Sequence, residues 1–471
     1  MIRFGTGGWR AIIGDEFTKE NVQILAQAMA DKMKREQVEA EGIVIGYDRR
    51  FLAKEAMQWM AEVFAANSIH ASLMEKSCPT PLVMYYVQQN QLHYGLMVTA
   101  SHNPALYNGV KVFTYGGRDA DLAETEEIER YIMAVTKPVS AMDYAEAQEK
   151  GLIEIINPMN SYIDSILSDI NVSAIRTAGL HIALDPMYGV SEPALKAILV
   201  TARCEVSTIH GNHDTLFGRQ MPAPNPDAMR ELSNYVIRNE CDLGVATDGD
   251  ADRIGLIDDK GRYLSPNDVL VLLYWYLVKY RKMKGPCVRN LCTTHVLDRL
   301  AESFGENCYE VPVGFKWISA KMDETDAIIG GESSGGMAIR GRIKGKDGIY
   351  AAALLVEMIA VTGKPISEIH DLIHAECGNL CMAEHNYRFS QELKEEFSKR
   401  IMENKEIPQF PYPVESVSYM DGCKVRFQNG GWVSVRFSGT EPLLRVFCEM
   451  NSAVEAEEIC DVYRRFLGLK A

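Results

Sequence analysis

Positive charge is scarce in this sequence: 49 Lys and Arg stand against 64 Asp and Glu, a formal net charge of −15 over 471 residues. That excludes nucleic acid and anionic membranes as general partners, because both are bound by a basic face that displaces counterions. Any anion must be met by a local group of Arg and Lys. No apolar run approaches the roughly 20 residues that span a bilayer. The longest, Val269 to Val278, ends at Lys279 and predicts a buried helix. Met1-Ile2-Arg3-Phe4 has none of the basic, apolar and small-residue succession of a signal peptide, so a cytoplasmic protein is expected. Repeats, low-complexity tracts and coiled-coil heptads are missing too. The eleven cysteines, an odd number scattered through a long chain, make no disulfide framework and are expected to be reduced, buried or inert thiols. Cys377 and Cys381 would be a metal pair only on a shared helix, and no second Cys or His pair of suitable spacing is expected to join them.

With 47% apolar and 24% charged residues the composition is that of an ordinary globular protein. The length calls for roughly three or four domains. Short apolar runs alternate with longer amphipathic ones over the first three quarters: Ile43-Val44-Ile45 before Asp48, Leu180 to Leu184 before Asp185, Leu243 to Ala246 before Asp248, and Ala327-Ile328-Ile329 before Gly330. This is an α/β pattern, in which ligands sit beyond the carboxyl ends of the strands. The last hundred residues change character. Cys423, Val425 and Phe427 alternate with Lys424 and Arg426, and Trp432 to Phe437 and Leu444 to Met450 read as further strands. Val454, Ile459, Val462, Tyr463 and Phe466 recur at helical spacing, predicting a terminal helix over one face of an antiparallel sheet. Compositional breaks at Lys137-Pro138, around Asp258 to Gly261 and near Gly378 divide the chain into 1–137, 138–257, 258–372 and 373–471.

Two loops carry chemistry. Leu96-Met97-Val98 delivers Ser101 within Thr99-Ala100-Ser101-His102-Asn103-Pro104. A serine hydroxyl attacks at neutral pH only with a base beside it or a phosphoryl group already on it. No Gly-x-Ser-x-Gly elbow surrounds Ser101, which disfavours a hydrolase triad; taken alone it reads equally as a turn serine bonded to its own backbone. The second loop, Asp248-Gly249-Asp250-Ala251-Asp252-Arg253, offers three carboxylates at alternate positions. These are hard oxygen ligands that suit Mg²⁺. A calcium loop of EF-hand type fails, because Arg253 stands where it needs a turn glycine and Asp259 where it needs a bidentate Glu.

These two loops, with Gly330-Gly331-Glu332-Ser333-Ser334-Gly335 and Arg436-Phe437-Ser438-Gly439-Thr440-Glu441-Pro442, resemble the four motifs of the α-D-phosphohexomutases, in the same order. The resemblance runs from Gly5-Thr6-Gly7-Gly8-Trp9-Arg10 to Arg445 and leans towards the bacterial phosphoglucomutases. It implies three similar α/β domains followed by a C-terminal α+β domain with an antiparallel sheet, arranged around a central active-site cleft. It implies a phosphoserine at Ser101 that binds Mg²⁺ together with Asp248, Asp250 and Asp252. Arg10, Lys111 and Arg253 match positions near the reacting phosphate, with Lys111 and His102 as the acid/base candidates. Glu332 and Ser334 match the pair that grips sugar hydroxyls, and Lys316 a further substrate contact. Arg436, Ser438, Gly439, Thr440 and Arg445 match a cradle for the phosphate that does not react. Gly336 stands where some relatives with broader mannose and glucose use have a histidine, and Lys346-Asp347-Gly348 again favours the glucose side.

The expected activity is interconversion of glucose 1-phosphate and glucose 6-phosphate through glucose 1,6-bisphosphate, which also serves as activator. Phosphomannomutase, or a dual-specificity enzyme, is the alternative within the family. An inactive sugar-phosphate-binding relative and a plain phosphatase are the alternatives outside it. The expected partner is a hexose phosphate, and a monomer is favoured.

Overall fold

The computed structural model describes residues 2–5, 7–136, 138–437 and 442–469. Four sheets follow one another along the chain. The first runs in the order Phe4–Gly5, Gly8–Ile12, Tyr107–Thr114, Tyr94–Val98, Ile43–Tyr47, Ala71–Met74, Ile153–Ile156, with Arg118–Asp119 paired to Tyr107–Thr114. The second is Glu205–Thr208, His181–Asp185, Leu243–Thr247, Ile254–Ile257, Tyr263–Leu264, and the third Cys308–Val311, Cys287–Asn290, Ile329–Gly331, Met337–Ile339. Their central strands pair in parallel. Ile43–Tyr47, Tyr94–Val98 and Leu243–Thr247 are buried at every position, as strands covered on both faces must be. This is the α/β architecture expected of the first three quarters.

The first two sheets each take a strand from beyond the breaks at 137 and 257. Ile153–Ile156 pairs with Ala71–Met74, so the first sheet recruits a strand from beyond residue 137. Tyr263–Leu264 likewise completes the second sheet from beyond residue 257. The helix Gly348–Thr362 of the third unit packs against Val172–Ala178 and Glu192–Thr201 of the second. A helix apolar on all sides has to be buried on all sides, and only a neighbouring unit supplies the second wall. Val269 to Val278 lies, as expected, in a buried helix, Pro266–Lys279, whose Ser265 and Asp268 form a capping box. No single helix among the described residues is long and apolar enough to cross a membrane.

The fourth sheet is antiparallel, in the order Cys381–Arg388, Leu443–Met450, Trp432–Phe437, Cys423–Phe427, Val414–Ser418. The helix Ala453–Phe466, capped by Ser452, buries Ile459, Cys460 and Tyr463 against one face. The other face is covered as well. Lys424, which the alternation turned away from the core, is buried because that face docks on the third unit: its Nζ donates to the Leu291 carbonyl at 2.7 Å and to Glu310 at 2.6 Å. All eleven cysteines are free, and Cys377 and Cys381 stand at a helix end and a strand start rather than on one helix.

Candidate active site

The serine loop follows Tyr94–Val98 and the aspartate loop follows Leu243–Thr247, so both leave the carboxyl end of a parallel strand and meet. Ser101 is fully buried with φ 51°, a left-handed conformation that a residue with a side chain adopts at a cost. It is held there from several sides. Its N–H donates to Thr99 Oγ1 at 2.8 Å, and Arg50 donates to four carbonyls around the loop: Ser101 (2.7 Å), Asn103 (2.6 Å), Pro104 and Tyr107 (both 2.9 Å). Asp48, next to Arg50, accepts the Thr99 hydroxyl at 2.6 Å, and burial pushes its carboxyl up to about 6 against the pull of Arg50. The result is a buried, positioned hydroxyl whose Oγ donates to Asp248 Oδ2 at 2.7 Å.

Asp248, Asp250 and Asp252 are all fully buried, with one carboxylate oxygen of each within 4.8 Å of the others. Burial, then Asp250 and Asp252, push Asp248 well above the carboxylate range. For Asp252 burial is outweighed by Lys111, Lys346 and Arg253, which hold it well below. Lys111 Nζ lies 2.6 Å from Asp250 and 2.5 Å from Asp252, and Lys346 Nζ 3.0 Å from Asp252. Burial opposes the charge on Lys111, yet the aspartates win and hold it protonated. Asp250 Oδ1 and Asp252 Oδ1 remain buried with no hydrogen-bond partner. Clustered carboxylates with unsatisfied oxygens beside a hydroxyl are a donor set that a hard divalent cation completes.

The remaining predicted residues group around this point. Arg10 Nη1 donates to Asn103 of the serine loop at 2.6 Å, and burial with Arg253 lowers its guanidinium to about 10. Arg253 Nε lies 4.0 Å from Asp248 and 3.8 Å from Asp252, buried and without a hydrogen bond. His102 Nδ1 is 3.3 Å from Ser101 Oγ. Arg253, burial and Arg10 together hold its imidazole well below its usual value, hence neutral. Lys111, Lys316 and Asp119 line one cleft of about 350 Å³ with Gly7 and Gly8. A Cβ on Gly8 would lie 2.6 Å from the Val110 carbonyl, so glycine is what lets the N-terminal segment approach the Lys111 strand.

Glu332 and Ser334 are joined by a 3.2 Å hydrogen bond, and their loop is stitched to the aspartate loop through Ile254 N–H to the Gly335 carbonyl and an Arg253–Gly336 bridge. Gly336 has a local explanation. A Cβ there would lie 2.2 Å from Lys346 Cδ, so the missing side chain leaves the path by which Lys346 reaches Asp252.

Arg436 and Arg445 stand apart from this group. They are directly opposed across the strands Trp432–Phe437 and Leu443–Met450. Opposed like charges on a sheet repel unless an anion joins them. Arg436 is meanwhile paired with Asp421 at 2.9 Å, and Asp421 also accepts the Val313 N–H at 2.9 Å, just ahead of Lys316. Ser438, Gly439 and Thr440, with Glu441 and Thr6, lie outside the described residues. Arg50, Asp48, Thr80, Asp421 and the link from Lys346 to the aspartates were missed from the sequence. Thr80 donates to Asp250 at 2.5 Å. Only Asp48 and Arg50 carried a signal, being charged residues directly after an apolar strand.

Comparison with known proteins gives a consistent result. Four family models, described as phosphoglucomutase/phosphomannomutase alpha/beta/alpha domains I, II and III and C-terminal domain, match residues 1–138, 160–261, 265–375 and 392–465. A phosphoglucomutase/phosphomannomutase of Thermococcus kodakarensis is 27% identical, over 99% of this chain and 97% of that protein. A phosphoglucosamine/phosphogalactosamine mutase of Sulfurisphaera tokodaii is also 27% identical, over 98% of each. A solved structure from Thermus thermophilus, described as a putative phosphomannomutase, superimposes with a TM-score of 0.85 at 28% identity, covering 99% of both chains. Matched in order by all four domains of one family, and superimposable over nearly its full length on a relative, the chain belongs to the phosphoglucomutase/phosphomannomutase family of α-D-phosphohexomutases: it is a phosphohexomutase, an isomerase.

Proposed function

We propose that the protein interconverts glucose 1-phosphate and glucose 6-phosphate by lending a phosphoryl group from Ser101 and recovering it. The observation that carries this reading is the buried Ser101 Oγ, 2.7 Å from Asp248, on loops whose Asn103 and three aspartates are met by Arg10, Lys111, Arg253 and Lys346. Asp248, Asp250 and Asp252, with Ser101 beside them, would hold Mg²⁺, which when bound would supply positive charge to the transferring group. Arg10 and Arg253 face the same space and stabilise charge on the equatorial oxygens. Both acid/base candidates are close by: His102 Nδ1 lies 3.3 Å from Ser101 Oγ, and Lys111 Nζ bridges Asp250 and Asp252.

Phosphoserine 101 gives its phosphoryl group to the free hydroxyl of the substrate, forming glucose 1,6-bisphosphate, which turns over so that the other phosphate returns to Ser101. Glu332 and Ser334 grip sugar hydroxyls midway between the two phosphates, with Lys316 across the cleft. Arg436, Ser438, Gly439, Thr440 and Arg445 hold whichever phosphate is idle, and the fourth domain closes on the sugar to keep water from the phosphoserine. We place this in the cytoplasm, as a monomer. The glucose preference leans on Gly336 and on Lys346-Asp347-Gly348. Relatives named for mannose and for glucosamine or galactosamine phosphates make those sugars the competing substrates. Intact-mass analysis of the active protein is expected to show one phosphate, at position 101. A panel of glucose, mannose and glucosamine phosphates is expected to show the highest kcat/KM with glucose. A fully active protein that never carries the phosphate would overturn the mechanism, and a higher kcat/KM with another sugar would overturn the specificity.

A further inference from the structure

The junction of the second, third and fourth units holds another cluster, unrelated to phosphate chemistry. Asp268 lies in the first turn of Pro266–Lys279, where the chain leaves the second sheet. His370 and His374 lie one turn apart on Ile366–Cys377, the helix that leads into the fourth sheet. His370 and His374 are a His pair of metal-ligand spacing beside Cys377 that the sequence reading passed over, and their third partner, Asp268, is about a hundred residues away. His370 Nε2 and His374 Nε2 stand 3.5 Å and 3.4 Å from the same Asp268 oxygen, and the three ligand atoms lie within 4.8 Å of one another.

Three features separate this from an ordinary ion-pair cluster. His374 Nε2 is buried and faces the Asp268 oxygen without a hydrogen bond, an omission that costs free energy and that an ion at Nε2 would remove. The two separations from Asp268 exceed those of a good hydrogen bond and suit a metal, since ligands about 2.0–2.1 Å from a tetrahedral ion stand about 3.3 Å apart. The outward-facing groups are also oriented as in metal sites. Asp268 Oδ2 is fixed by Ser265 N–H and Oγ at 2.8 and 2.7 Å, and His370 Nδ1 faces the Asp371 carboxylate at 3.2 Å, itself 3.2 Å from Arg262.

We propose that Asp268, His370 and His374 form a binding site for a Zn²⁺-like transition-metal dication, a clip that ties the start of Pro266–Lys279 to Ile366–Cys377. Two imidazole nitrogens and one carboxylate select such an ion over Mg²⁺, and the histidine side chains, 19% and 13% exposed, leave the fourth position open to water.

The test is a Zn²⁺ titration of the metal-stripped full-length protein in excess Mg²⁺, which keeps the aspartate loop filled by the harder ion. One Zn²⁺ per chain is expected to bind and to raise the thermal midpoint. His370→Ala and His374→Ala should each lose that equivalent, Asp371→Asn should bind about 10–100-fold more weakly, and Asp250→Asn should keep it. Unchanged binding in both histidine variants would overturn the proposal, as would wild-type protein that takes up no Zn²⁺. If either alanine variant fails to fold, Co²⁺ added to the wild type decides: the visible band of a four-coordinate, nitrogen-ligated ion supports the site, and its absence overturns it.

Discussion

The two ends of the cleft handle charge in opposite ways. At the serine end, three fully buried aspartates are met by Lys111 and Lys346 supplied by the protein, and the loop bearing Ser101 is anchored through Arg50 to four carbonyls. At the cradle end, Arg436 and Arg445 oppose each other near the surface, and the one ion pair seen for either guanidinium among the described residues is with Asp421. On the proposed function, the first end is organised before substrate arrives and the second is left for a phosphate to complete. Preorganised charge serves the transition state, whereas charge completed by the ligand serves binding. Substitutions at the serine end should therefore lower kcat, and those at the cradle end should raise KM.

Ser101→Ala tests the contrast most severely: mutase turnover should fall by orders of magnitude while calorimetry still detects sugar-phosphate binding. Arg50→Met should come next. It strands Asp48 and four carbonyls in a buried site, for a loss of roughly 3–5 kcal/mol in denaturant unfolding and a lower kcat at unchanged KM. Lys346→Met is expected to reduce kcat about a hundredfold, and Gly336→Ala should act in the same direction by displacing the Lys346 stem. Arg436→Ala should raise KM about tenfold with little change in kcat; a kcat effect as large as that of Lys346→Met would erase the distinction between the two ends.

The smallest effect concerns how the cradle domain is docked. His295, in the interface with Lys424 and Glu310, is lowered to about 3 by burial, Arg289 and Lys424. The unfolded chain takes up that proton near pH 6.5 and the native state refuses it. The contribution is thus intact above about pH 6.5 and is lost progressively as pH falls towards 3. Between pH 7 and 5.5 it should amount to about 1.3 kcal/mol. Unfolding midpoints of His295→Gln should fall less steeply over that interval than those of the wild type, and parallel slopes would remove His295 from the effect.

Much of this organisation was readable in one dimension. Apolar runs followed by small or acidic residues located the serine, aspartate and gripping loops, because a strand buried on both faces must be continuous and its ligand loop must follow it. The terminal helix and the strands before it were visible for a similar reason, since alternation and helical spacing are local properties. Lys424 shows where that reading stops. Its period-2 position pointed to solvent, yet it lies in an interface with Glu310, because nothing in the pattern of one sheet says what covers its outer face.

Local patterning established the class of fold and the order of the motifs, and it singled out Ser101 and its three carboxylates as the candidate site, since each lies within a few consecutive residues. The pairing of Lys346 with Asp252, the Arg50 anchor, the sharing of the Gly348–Thr362 helix between two units and the meeting of Asp268 with His370 and His374 emerged only on folding. Each joins residues tens to hundreds of positions apart, and such distances are closed by the burial of apolar surface, which is indifferent to separation along the chain.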